Sequence, residues 1–94
     1  MKQNTRLEDG FGQVSSPVMR EPTLSLQEKG FYAYLSSYAS STDNSLIVKT
    51  YRMASECNVT PSTISRMINK LQKLGVLTRV KRGKGNTWKT ILLK

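Results

Sequence analysis

Ser62, Ser65, Arg66, Asn69 and Lys73 stand at positions i, i+3, i+4, i+7 and i+11 of one stretch, a spacing that puts them on one face of a helix. Their chemistry is recognition rather than bond-making. Short hydroxyls permit close approach, a guanidinium can pair with guanine through two bonds, a carboxamide can do the same with adenine, and an ammonium suits a phosphate. Thr60 and Thr63 add hydroxyls and helix-start N–H groups fit for a phosphate, and Lys70 adds another cation. Any surface helix of a small bundle also turns polar residues outward. What sets this one apart is that its outer face holds no acid.

A second cluster follows. Arg79, Lys81, Arg82, Lys84 and Lys89 place five cations within residues 79–89, with Asn86 among them. Lysines also protect exposed strand edges from aggregation, but five cations exceed what that requires. A basic ribbon beside such a helix can lie along a nucleic-acid backbone or enter a minor groove. The charge of the whole chain has the same bias. From Cys57 to Lys94 there are nine Lys or Arg and no acid, whereas Met1–Glu56 carries six of each, so the formal +9 belongs to the second part. A stretch without acids cannot pair its own cations; it projects a one-signed field whose most abundant partner is a polyphosphate.

Several chemistries are excluded. The chain has no histidine and a single cysteine, Cys57, so common zinc arrangements, an internal disulfide and the usual nucleophile–imidazole pairs are ruled out. Six scattered acids offer no convincing catalytic pair. No cofactor, metal or small-molecule ligand is expected. The polar start is unlike a signal peptide, and no segment is apolar for long enough to span a bilayer. The expectation is a cytoplasmic, non-enzymatic binding module.

Ninety-four residues suffice for one small core. Residues 1–12 are polar and glycine-containing, as in a flexible arm, and residues 13–94 form the domain. Val14–Met19 reads as a short extended segment interrupted by Pro17. Ser25 and Glu28 have capping-box spacing, and in the first helix Phe31, Tyr34, Leu35 and Tyr38 share a face. Tyr32, off that face, is expected to be partly exposed and fit for a dimer contact. Gly30 weakens the helix, which predicts close packing against a neighbour. Leu46–Val48 can serve as an edge strand.

A second helix is expected over Tyr51–Cys57, capped by Thr50, with Met53 and Ala54 inward. Asn58 suits the left-handed backbone of a sharp turn. Thr60 caps a third helix with Pro61 in its first turn, Gly75 ends it, and Ile64, Met67, Ile68, Leu71 and Leu74 form its apolar stripe. Val76–Lys81 and Thr87–Leu93 read as strands joined by the turn Arg82–Asn86. Trp88 is expected to pack the hairpin base against the third helix, and Cys57 to fill core space. The class is α+β, three helices with a C-terminal β-hairpin. The second and third helices have the proportions of a helix-turn-helix.

From Phe11 onward the chain resembles winged helix-turn-helix domains, most closely those opening the replication initiators of plasmids and phages in Gram-positive and related bacteria. The resemblance is carried by Val18-Met19-Arg20, the run Leu24–Ala39, Met53-Ala54, Val59-Thr60, Ile64-Ser65-Arg66, Leu71, Leu74-Gly75-Val76-Leu77 and Gly85-Asn86-Thr87-Trp88. It implies that Thr60–Lys73 is a recognition helix for duplex DNA and Arg79–Lys89 a wing. Such initiators continue into further domains past the wing, where this sequence ends. The resemblance therefore implies a stand-alone regulator or an accessory protein at a replication or transfer origin, with a homodimer on repeated half-sites as one arrangement. The alternative is a protein-interaction module that docks an acidic partner on the same scaffold. Single-stranded nucleic acid ranks last, because the basic part carries only Trp88 for base stacking.

Overall fold

The computed structural model describes residues 15–81 and 88–94. The arm 1–12 and the turn Arg82–Asn86 anticipated from the sequence lie outside the described residues. The chain runs α1 (Ser16–Met19), α2 (Leu26–Tyr38), β1 (Ser45–Leu46), α3 (Thr50–Cys57), α4 (Pro61–Leu74), β2 (Leu77–Lys81) and β3 (Trp88–Leu92). The class is α+β, as anticipated.

α1 replaces the extended segment expected before Arg20. The Ser15 hydroxyl accepts from the Val18 amide at 3.4 Å, and Pro17 sits in the first turn. A proline without an N–H disrupts a strand ladder but costs a first helical turn nothing, and Val18 is thereby buried. α2 begins on the expected capping box: the Ser25 amide donates to Glu28 Oε1 at 2.7 Å, and the Glu28 amide donates to Ser25 Oγ at 3.1 Å. Gly30 is not closely packed; a Cβ there would meet nothing within 4 Å.

Tyr32 also departs from expectation. It is 1% exposed, and its hydroxyl donates to the Val76 and Lys94 carbonyls at 3.1 and 3.3 Å. A helix packed on two sides buries a stripe wider than four residues, and a buried phenol needs a partner for its tip. Tyr32 therefore latches α2 to the start of β2 and to the last residue, and is not free for a dimer contact. Tyr38, by contrast, is 37% exposed.

α3, its turn and α4 follow their local signals closely. Asn58 is left-handed at φ 58° and ψ 45°, and Gly75 ends α4 at φ 84°. The Thr60 hydroxyl accepts from the Thr63 amide at 3.2 Å, with Pro61 in the first turn. At α3 the cap position is Lys49 rather than Thr50, and no side chain closes it. Ile64, Met67, Ile68 and Leu71 are buried with Met53, Ala54, Phe31 and Leu35 in one core. Leu74 is 38% exposed, because the stripe turns away from the core as α4 ends.

The sheet has the order β1-β3-β2, all antiparallel. β1 is an edge strand as expected, though only Ser45–Leu46 pair. Leu77 stands opposite Leu92, Arg79 opposite Thr90, and Lys81 opposite Trp88. Because side chains alternate along a strand, these six share one face. Leu77, Thr90 and Leu92 are buried. Arg79, Lys81 and Trp88 extend that helix-facing side outward.

Candidate nucleic-acid interface

α4 divides as its sequence pattern requires. One side is the buried stripe; on the other, Ser62, Ser65, Arg66, Asn69 and Lys73 are all exposed. Among the described residues neither Arg66 nor Lys73 forms an ion pair. At the helix start the Thr60 hydroxyl lies 3.2 Å from that of Ser62 and 2.9 Å from that of Thr63. The Thr63 amide is used by the cap, so it is not one of the open N–H groups expected there.

The acid-free part of the chain does find partners, in the other half. Lys70 Nζ donates to Glu28 Oε1 at 2.9 Å and to the Thr23 carbonyl at 2.8 Å. Lys89 Nζ approaches Asp43 Oδ2 at 3.7 Å. Helical spacing brings Lys70 round to α2, where the capping carboxylate is already fixed. The Ser25 amide and then Lys70 hold the Glu28 carboxyl below the usual carboxylate range. The one-signed field expected from the acid-free stretch is thus partly offset at these two positions by acids of the other half.

The hairpin cations separate by strand alternation. Lys89 takes the sheet face opposite Arg79 and Lys81. The Arg79 guanidinium carbon lies 5.1 Å from the centre of the Trp88 ring, and Lys81 Nζ lies 5.9 Å from it. Burial lowers the pKa of Arg79. Trp88 is half-buried and, rather than simply sealing the hairpin base, borders an open cleft of about 640 Å³. Pro61 and Ser65 of α4 line its far side, and Lys49, Thr50 and Tyr51 its end. Sequence reasoning missed these last three. No sequence signal pointed to them, since Thr50 is expected as the cap of α3; the packing of α3 beside α4 places them there. Of the remaining expected site residues, Arg82, Lys84 and Asn86 lie outside the described residues.

A helix-turn-helix followed by a basic antiparallel hairpin defines a DNA-binding domain of the winged-helix type. The family described as "Iron dependent repressor, N-terminal DNA binding domain" matches residues 33–84, more than half of the sequence. The chain belongs to this family. A solved structure titled "N-Terminal domain of DNA binding protein" is similar over 100% of this chain and 82% of its own, with a TM-score of 0.70 at 15% identity, which is a likeness of fold. No curated protein matches the chain.

The family's description names iron, and ferrous sites use imidazole, thiolate and carboxylate donors. This chain has no histidine, and among the described residues no three Cys, Asp or Glu side chains converge. Glu28 is held by Ser25 and Lys70, Asp43 by Ser45, and Glu56 by Tyr34, Tyr38 and Arg52. The described residues do not fit that ion. Among them, too, no helix is long and apolar enough to cross a membrane.

Proposed function

We propose that this domain binds double-stranded DNA at specific sites, with α4 in the major groove and the hairpin on adjacent backbone or minor groove. The observation that carries this reading is the outer face of α4: five exposed polar residues, two of them cations without an ion-pair partner among the described residues, backed by a rigid buried stripe. In this reading Arg66 and Asn69 contact base edges, Ser62 and Ser65 allow close approach, and Thr60, Thr63 and Lys73 meet phosphates. Arg79 and Lys81 supply the hairpin contacts, together with Arg82, Lys84 and Asn86.

The biological role proposed is cytoplasmic and non-enzymatic: transcriptional control, or nucleoprotein assembly at a replication or transfer origin of a plasmid or phage. The family supports regulation, and the resemblance to replication initiators supports the mobile element. One module of this size reads few bases, which favours a homodimer on repeated half-sites. Selection of bound sequences from a random duplex pool tests this, and should return a short motif, single or repeated. If five to seven phosphates are neutralised, log K against log salt falls with a slope of about −4.5 to −6. Failure to enrich any motif, or a slope near zero, refutes the reading.

A further inference from the structure

The cleft between the start of α3, α4 and the hairpin is lined by the Arg79 side chain. Arg79 Nε is buried and has no hydrogen-bond partner among the described residues. An unpaired buried donor on a charged group costs free energy that a folded chain seldom leaves uncompensated. Stacking on Trp88 satisfies the face of the guanidinium but not its edge. Lys81 shares the same ring, and Lys49 lines the cleft, yet none of the three pairs with a carboxylate among the described residues. Thr50, Tyr51 and Ser65 add hydroxyls to its walls. Positive charge, an aromatic wall and hydroxyls in one open cleft form a receptor for an oxyanion.

We infer that this cleft seats a backbone phosphodiester of the duplex, with Arg79, held by Trp88, and Lys49 as its cationic ligands. This rests on the proposed duplex-binding reading and extends it to residues outside the recognition helix. The duplex is favoured over a free anion because Ser65, on the outer face of α4, also lines the cleft. A strand passing along α4 therefore runs over its mouth. Trp88 is positioned to fix the guanidinium plane, so that its terminal nitrogens can turn to the phosphate.

Trp88 is the one tryptophan of the chain, so its emission reports on this cleft. Random-sequence duplex is titrated against the whole chain, following emission and gel retardation in parallel, with Lys49→Gln and Arg79→Gln as variants. Emission should change and saturate together with retardation, and each variant should make the salt slope shallower by about 1. Lys49 is exposed, so its variant decides the matter should Arg79→Gln fail to fold. Retardation with unchanged Trp88 emission and full slopes in the folded variants overturns the cleft while leaving duplex binding intact. Loss of all retardation at low salt instead defeats the duplex reading, and the cleft with it. If inorganic phosphate at matched ionic strength produces the same emission change at the same phosphate concentration, the site belongs to a free anion and the backbone assignment falls.

Discussion

Two exposed polar patches on adjoining helices use their side chains in opposite ways. Where α2 meets α3, the Glu56 carboxylate accepts from the hydroxyls of Tyr34 and Tyr38 and from Arg52 Nε at 3.2 Å. Tyr34 stacks on Phe31 with ring centres 6.1 Å apart and meets Tyr38 edge-on at 5.3 Å. Burial, and then the bond to Glu56, push the Tyr34 phenol well above its ordinary pKa. Each of the four polar side chains of that corner has a partner inside the protein. On the outer face of α4, Arg66 and Lys73 have no ion-pair partner among the described residues, and the Asn69 side chain forms no hydrogen bond among them. Exposure alone therefore does not mark a recognition surface. In the proposed reading, bonding capacity left open by the fold does.

The widest separation should come from the two sides of α4. Leu71 is fully buried, and Leu71→Ala should cost about 2–5 kcal/mol of stability in urea unfolding. A smaller but more telling effect belongs to the outer side. Arg66→Ala should leave stability within about 0.5 kcal/mol while relaxing sequence preference by about 1–3 kcal/mol at one base position. A stability loss comparable to that of Leu71→Ala would place Arg66 with the packed groups and erase the contrast.

Next come two lysines one turn apart. Lys73→Gln should make the salt slope of duplex binding shallower by about 1, whereas Lys70→Gln should leave that slope unchanged and lower Tm, because its ammonium is bonded to Glu28 and Thr23. Equal slopes in the two variants would show that internal pairing does not withhold a cation from DNA.

The subtlest effect is that of acid on Glu56. Its folded pKa lies below the ordinary 4.5, chiefly through the Tyr34 hydroxyl, then Tyr38, then Arg52. A depressed carboxyl contributes stability that is present in full above 4.5 and lost as pH falls through the folded value. Glu56→Gln should therefore melt below the wild type above that pH, and the gap should close in acid. A pH-independent gap would mean that the corner does not act through the carboxylate charge.

Much of the fold was legible because its signals are local. Thr60 and Pro61 announce the start of α4, Gly75 its end and Asn58 the turn, since each residue type suits a backbone geometry that depends on few neighbours. The two sides of α4 follow from helical periodicity, apart from Leu74 at the frayed edge of the stripe. The misses share another character. Pro17 was read against a strand, when a single helical turn accommodates it equally well. Tyr32 lies off the apolar stripe, which predicts partial exposure, and the partners that hold its buried hydroxyl, the Val76 and Lys94 carbonyls, lie 44 and 62 residues away.

The candidate interface divides along the same line. Its composition was visible in the chain, but which cations remain open was not: Lys70 and Lys89 are tied to acids of the other half, while Arg79 and Lys81 are gathered over Trp88. The amino-acid sequence alone determined the start of α2, both ends of α4, the polar face of α4 and the one-signed charge of the chain's second half, because propensity, capping and periodicity act within a few residues. Only tertiary structure decided which charges are cancelled, which phenol is buried and where the cleft opens. Coulombic pairing and burial depend on distances through space, and those arise only when remote segments pack together.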